Sequence, residues 1–303
     1  MKAIGIDVGG TQIKAGIVDS KGKIFKQINI ETNPSSGKNS IISSIERIIS
    51  KLDSKEIKSI GIGFAGSVDE KKGIIIESPN IPKMNNTKIV EALKKKIRKK
   101  IVLQNDAKLM ALAEAKIGAG KKFRVIVGLT AGTGIGSGII INKKICSGKN
   151  YLTELGHTTI NFFGPKCQCG NTGCLEEYAG IKALMRLTER KMEAFPSILK
   201  KMWPLTPKKI DEAAQKKDKL AISVLKETGM LLGIGLANIA NSFNPDAIIL
   251  GGGLSNSKII FNEAVKEMKK RALKPAKNTK VLKARFREKA GMIGAGLLAL
   301  EPN

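Results

Sequence analysis

AIGIDVGGTQIKAGIV, residues 3–18, decides the fold. Residues 3–8 form an apolar run with a single acid, Asp7, and read as a buried strand. Gly9, Gly10 and Thr11 make a tight turn, and residues 13–18 return as a second strand. Residues 20–22 (SKG) turn the chain again into a third strand at 23–28. The same grammar restarts further on: a strand at 124–129, the turn AGTG at 131–134, a strand at 138–141 and a hairpin turn at 142–143. Gly10-Thr11 and Gly132-Thr133 are equivalent points of two strand–turn–strand units. Their separation of about 122 residues is too long for a solenoid repeat and fits a duplicated half-molecule.

Between the two units the pattern alternates strand and helix. Ile41, Ile45, Ile48 and Leu52 recur at helical spacing, and residues 60–64 form a buried strand ending in Ala65-Gly66. Residues 88–98 read as a helix, 101–103 as a strand with Asn105-Asp106 at its carboxyl end, and 107–117 as a helix. After the second unit come helices between 181 and 241, then a strand at 247–250 running into Gly251, Gly252 and Gly253. A helix at 258–273, a strand at 280–284 and a last helix at 291–300 follow. Residues 118–120 (GAG) are the natural hinge. The expected domains are 1–118, completed by 291–303, and 119–290.

A chain of 303 residues buries a large core and usually splits into two domains. No apolar leader follows Met1, and no apolar run approaches a membrane span, so a cytoplasmic protein without membrane contact is expected. The net charge of +27 raises a polyanion partner as one reading. Aromatics are only 4%, and no helix-turn-helix or RNA-binding pattern occurs, so no specific nucleic acid is expected. The other reading, a lysine-rich composition on solvated faces, stays beside it.

Residues 153–176, TELGHTTINFFGPKCQCGNTGCLE, hold the only histidine, His157, and Cys167, Cys169 and Cys174 of the four cysteines. One imidazole and three thiolates complete a tetrahedral structural zinc site. The alternative is buried thiols beside a hydrogen-bonded histidine, but scarce residues gathered at 157–174 favour the metal. An odd thiol count and the closeness of Cys167 to Cys169 argue against disulfides.

Glycine turns let backbone N–H groups face a phosphate without side-chain obstruction. Gly9, Gly10 and Thr11 form one such turn, and Gly132, Thr133 and Gly134 a second. Gly252 and Gly253 offer a third, suited to a nucleoside. Asp7 can position magnesium through water. Asp106, at a strand's carboxyl end, can take a proton from an attacking hydroxyl. Asn-Asp before a helix is equally an ordinary cap.

Together these segments resemble the ROK family of sugar kinases, within the sugar kinase–actin–Hsp70 superfamily. The resemblance runs through DVGGT (7–11), GIGFAGSVD (61–69), SPNIP (78–82), QNDAKLMALAEA (104–115), GLTAGTGIGSGI (128–139), ELGH (154–157), CQCGNTGCLE (167–176) and NPDAIILGGGLS (244–255). It implies an α/β fold of two ribonuclease H-like (actin-like ATPase) domains around a central cleft. It implies an ATP-dependent hexose kinase, glucokinase first, with Asp106 as catalytic base. Gly66, Asn80, Asn105, Asp106, Glu154, His157 and Glu176 would bind the sugar. Asp7, Gly9, Gly10, Thr11, Gly132, Thr133, Gly134, Gly252 and Gly253 would bind magnesium and ATP, and His157, Cys167, Cys169 and Cys174 a structural zinc. A homodimer or homotetramer is expected.

Three departures stand out. Ala65-Gly66 replaces the family's Pro-Gly, Gln12 its frequent lysine after GGT, and Leu152-Thr153-Glu154 its AGE. The TELGH spelling is similar to that of polyphosphate-using glucokinases, which keeps polyphosphate open as a donor, as other hexoses stay open as acceptors. A ROK-type sugar-responsive regulator ranks far behind, because the first phosphate turn already begins at residue 7.

Overall fold

A computed structural model describes residues 1–147 and 153–302. Leu152 of the Leu-Thr-Glu triplet and Asn303, the end of the 291–303 segment, lie outside the described residues. The first half runs β1 (Lys2–Val8), β2 (Gln12–Asp19), β3 (Ile24–Glu31), α1 (Lys38–Leu52), β4 (Ile57–Phe64), β5 (Ser67–Asp69), β6 (Ile74–Glu77), α2 (Ile89–Lys94), β7 (Lys100–Asn105) and α3 (Asp106–Ile117). The second runs β8 (Val125–Ala131), β9 (Ile135–Ile141), β10 (Lys144–Ile145), α4 (Glu176–Ala179), α5 (Ile181–Ala194), α6 (Pro207–Gln215), α7 (Lys219–Phe243), β11 (Ala247–Gly251), α8 (Lys258–Arg271), β12 (Lys280–Lys283) and α9 (Ala290–Ala299).

Two five-stranded sheets have the same plan. Their orders are β3-β2-β1-β4-β7 and β10-β9-β8-β11-β12. In the first, β1 pairs antiparallel with β2 and parallel with β4, which pairs parallel with β7. In the second, β11 lies parallel between β8 and β12. The turns at 9–11 and 132–134 thus fall between topologically equivalent strands. By contacts the chain forms two compact units, Met1–Arg124 with Gly138–Thr153 and Arg285–Asn303, and Val125–Ser137 with Glu154–Ala284.

In the first unit, alternation along the strands feeds two helical layers. Ile4, Ile6 and Val8 of β1 cluster with Ile41, Ile45 and Ile48 of α1. The opposite face carries α9, whose backbone lies directly on the sheet: a Cβ added at Gly61 of β4 would come within 1.9 Å of the Ala295 carbonyl oxygen. Only glycine allows that approach.

Three expectations need correction. Helix α2 stops at Lys94 instead of reaching 98. Continued to 98, it would stack Lys94 on Arg98, like charges at i,i+4. The hairpin of β5 and β6 was missed, because its strands are only three and four residues long. Helix α7 is long and apolar enough to cross a membrane by length and composition, with mean hydropathy 1.5, contrary to the expectation that no run comes close. In the second unit 61% of that window is buried. Gly229 and Gly233 bring α7 against the backbone of α8, so packing accounts for its apolar character.

Gly61→Ala should therefore lower stability by about 1–3 kcal/mol, the usual cost of overpacking. Thermal unfolding checks this, and an unchanged Tm would mean that α9 does not rest on β4.

Candidate active site

In the first unit the turn after β1 is pinned from a distance. Gly9 N–H donates to the Gln12 carbonyl at 3.0 Å. Thr32, just past β3, donates its hydroxyl to the Gly9 carbonyl at 2.8 Å and its N–H to the Thr11 carbonyl at 2.8 Å. Gly10 lies against Asn80, whose Cβ is 2.8 Å from where a Cβ on Gly10 would stand. The phosphate turn and one sugar-binding candidate are therefore neighbours. Thr11 and Asn80 are exposed.

Of the Asn105-Asp106 pair, the cap is Asn105, which leaves the Asp106 side chain outside that role. Asn105 Oδ1 accepts Lys108 N–H at 3.0 Å, and its Nδ2 donates to the Gly66 carbonyl at 3.0 Å. Asp106 is the first residue of α3, and its Oδ1 accepts Ala107 N–H at 2.9 Å. Gln104 is buried, accepts Asn105 N–H at 2.8 Å and donates to Glu70, which fixes the strand end that presents the pair.

Asp7 sits on β1 with its carboxylate where a side chain on Gly291 would otherwise be. Burial pushes its pKa up to about 7; the Asp106 charge adds to the rise and Lys14 opposes it. Asp7 and Asp106 are thus close enough to repel, and a cation between or beside them would relieve both.

The second unit builds its own set. Gly132 N–H donates to the Gly134 carbonyl at 2.9 Å, and Ile181 N–H to the Gly132 carbonyl at 2.9 Å. A Cβ on Gly132 would meet nothing within 4 Å, so open space faces it. Gly252 has φ 81, and its Cα stands so close to Ala131 that a Cβ would come within 2.3 Å of that carbonyl oxygen. Gly253 follows on the same turn, near Ile181. Glu176 opens α4 and reaches back to the phosphate turn, where its Oε2 accepts Ile135 N–H at 2.7 Å. The carboxylate lies where a Cβ on Gly134 would be.

Residues 155–157 form a single short helical turn. Leu155 N–H donates to Ser137 Oγ at 3.1 Å, and Gly156 is pressed on the Ile135 carbonyl. Glu154, at the start of this turn, is exposed and accepts His157 N–H through its carbonyl at 3.0 Å. His157, Cys167, Cys169 and Cys174 each offer a ligand atom, all within 4.8 Å of one another. Cys169 and Cys174 sulfurs are 3.7 Å apart, and His157 Nδ1 is 3.5 Å from Cys167 Sγ. Zinc bonds of about 2.3 Å to sulfur and about 2.0 Å to nitrogen give tetrahedral edges of about 3.8 and 3.5 Å. Burial pushes the Cys167 and Cys174 thiols up, Cys174 to about 12 with the neighbouring thiols adding. A bound cation is what would make such thiols thiolates. The donor set fits zinc, with Nδ1 as the ligand atom and Nε2 left over.

The candidates thus assemble within each unit: Asp7, Gly9, Gly10, Thr11, Gly66, Asn80, Asn105 and Asp106 in the first, the remainder in the second. Sequence reasoning missed the residues that hold them, Thr32, Gln104 and Ser137. Each acts through an ordinary hydroxyl or amide, and no local pattern marks it.

The Asp7 carboxyl gives a test. Held at about 7 against an ordinary value of 3.8, it costs stability increasingly as pH rises through that interval, and fully above it. In chelator, Asp7→Asn should raise Tm more at pH 8 than at pH 4.5. Equal gains at both would contradict the burial and repulsion described.

The sequence matches the family model described as ROK family over residues 3–302. It is 34% identical over 310 residues to a glucokinase of Thermotoga maritima, covering 99% of this chain and 98% of that one. An N-acetyl-D-glucosamine kinase of Histophilus somni is 30% identical, with 98% of each chain covered. A solved ROK family glucokinase from Streptomyces griseus, in complex with glucose and AMPPNP, matches with TM-score 0.87 at 31% identity over 99% of both chains. The paired sheets with glycine turns are therefore the actin-like ATPase fold, and the chain belongs to the ROK family.

Proposed function

We propose that the chain transfers the γ-phosphoryl group of ATP to a hexose hydroxyl, with glucose as the first candidate and glucose 6-phosphate as its product. One observation carries this reading. Asp106 is presented at the carboxyl end of β7 in the unit that also holds a pinned phosphate turn, and it is close enough to Asp7 to raise that residue's pKa. Asp106 takes the proton of the acceptor hydroxyl as its oxygen forms the new bond to γ-phosphorus and the bond to the ADP oxygen breaks. Asn80 and the Gly66 loop bind the sugar from the first unit. Asn105 acts mainly through Gly66, since its Oδ1 caps α3.

Glu154, His157 and Glu176 supply the second unit's sugar contacts, with His157 offering Nε2. Backbone N–H groups at 9–11 and 132–134 hold phosphates, and Gly252 and Gly253 lie by the nucleoside. Magnesium bound with ATP would neutralise the β- and γ-oxygens, and Asp7 would hold it, commonly through water. Zinc on His157, Cys167, Cys169 and Cys174 would be structural.

The charge of +27 favours a second reading of the donor, inorganic polyphosphate. A long polyanion held by many lysines loses affinity steeply with salt, whereas ATP held by backbone amides and magnesium depends on it far less.

The test is a coupled assay of hexoses with each donor at two salt concentrations, on the wild type and Asp106→Asn. Glucose and ATP should give the fastest turnover. Asp106→Asn should lower it by about two orders of magnitude or more while sugar binding persists. Near-normal turnover in the variant would remove Asp106 from the role, and activity with polyphosphate alone would reverse the donors.

A further inference from the structure

Ser78 has no role in the scheme above, yet it is fully buried beside the sugar loop. Its hydroxyl donates to the Ala65 carbonyl at 2.7 Å, and its N–H donates to Asn85 Oδ1 at 2.8 Å. The next carbonyl, that of Gly66, receives Asn105 Nδ2 at 3.0 Å. Two successive carbonyls of the loop are therefore held by two side chains from separate elements. Gly66 has φ 140, and a Cβ there would come within 2.2 Å of the Glu77 carbonyl oxygen and 2.9 Å of Ser78 Cα. The loop and the 77–78 segment thus touch along their backbones. Two residues beyond Ser78, Asn80 lies against Gly10 of the phosphate turn.

We propose that Ser78 is a positioning residue for sugar recognition, a proposal that rests on the sugar-kinase reading. Its hydroxyl fixes the Ala65 carbonyl, and so the direction in which the Ala65-Gly66 peptide and Asn80 meet the sugar's hydroxyls. Proline, usual in the family at this place, would restrict that backbone by its ring. Here alanine leaves the backbone freer, and the Ser78 hydrogen bond supplies the restraint. The chemistry has braces that do not pass through Ser78: Asp106 starts α3, capped by Asn105 Oδ1, and Thr32 holds the phosphate turn. Losing the Ser78 hydroxyl should therefore disturb sugar binding and leave proton transfer and ATP alone.

The experiment measures steady-state kinetics of the wild type, Ser78→Ala and Asn85→Ala with glucose, mannose and N-acetylglucosamine. Ser78→Ala leaves a buried carbonyl unpaired, so the glucose KM should rise about tenfold or more. Its kcat at saturating glucose and its ATP KM should stay within about twofold, and its preference between glucose and mannose should narrow. Asn85→Ala, which frees Ser78 N–H, should give the same signature more weakly, and it serves if Ser78→Ala does not fold. An active wild type with an unchanged glucose KM in the folded variants would overturn the proposal, as would an equal fall in kcat or rise in ATP KM. A wild type inactive on every hexose would instead overturn the sugar-kinase reading, and this proposal with it.

Discussion

Four ligand atoms, from His157, Cys167, Cys169 and Cys174, lie within 4.8 Å of one another and tie together the chain from 157 to 174. The chain between them has little regular structure to hold it. Among the described residues its regular structure is a three-residue helical turn at Leu155–His157 and isolated bridges at Thr159–Cys174 and Lys166–Thr172. Backbone hydrogen bonds such as Ile160 N–H to the Gly173 carbonyl and Leu175 N–H to the Thr158 carbonyl, both at 2.9 Å, work against the conformational entropy of closing it. A tetrahedral cation on the four ligand atoms would add its ligation energy to folding. The consequence reaches further than the loop. Glu154 opens the segment and Glu176 closes it, and Glu176 is bonded to Ile135 N–H on the phosphate turn. The cysteine–histidine cluster, Glu176 and the 132–134 turn are therefore joined through one short segment.

The two halves share a sheet plan and solve the same problem differently. Both put a glycine-threonine turn between equivalent strands. In the first unit the turn is pinned by Thr32, and the acid beside it, Asp7, is held near neutrality by burial and by Asp106. In the second the turn is held by Glu176 and by the approach of Gly252 to Ala131. The strand order is common to both sheets, and the bracing side chains differ. One half brings Asp7 and Asp106 near each other, and the other gathers the cysteine–histidine cluster.

Much of this was legible in the sequence. Strand β1, its turn and strand β2 could be read because buried strands are continuous and glycine turns are local. The cysteine–histidine cluster stood out because those residues are scarce. What could not be read depended on partners far away in the chain. The Asn-Asp pair reads equally as a cap and as the place of a catalyst, and only the contact with Gly66 shows that Asn105 also braces the 65–66 loop. Thr32, Ser78 and Ser137 are common residues whose meaning lies in which carbonyl or N–H they meet. The sequence reading also carries α2 past its end at Lys94 and passes over the apolar length of α7, which shows as a core helix only through its packing on α8.

The account turns on the metal cluster shaping the sugar site, and Cys169→Ala tests that most directly, because Cys169 is exposed and its loss leaves no core cavity. Metal content and glucose affinity are measured on the same preparations of wild type and variant. The account predicts about one zinc per wild-type chain, as in closed structural sites, and a variant that loses zinc and glucose affinity together. Wild-type glucose affinity in a zinc-free variant would contradict it.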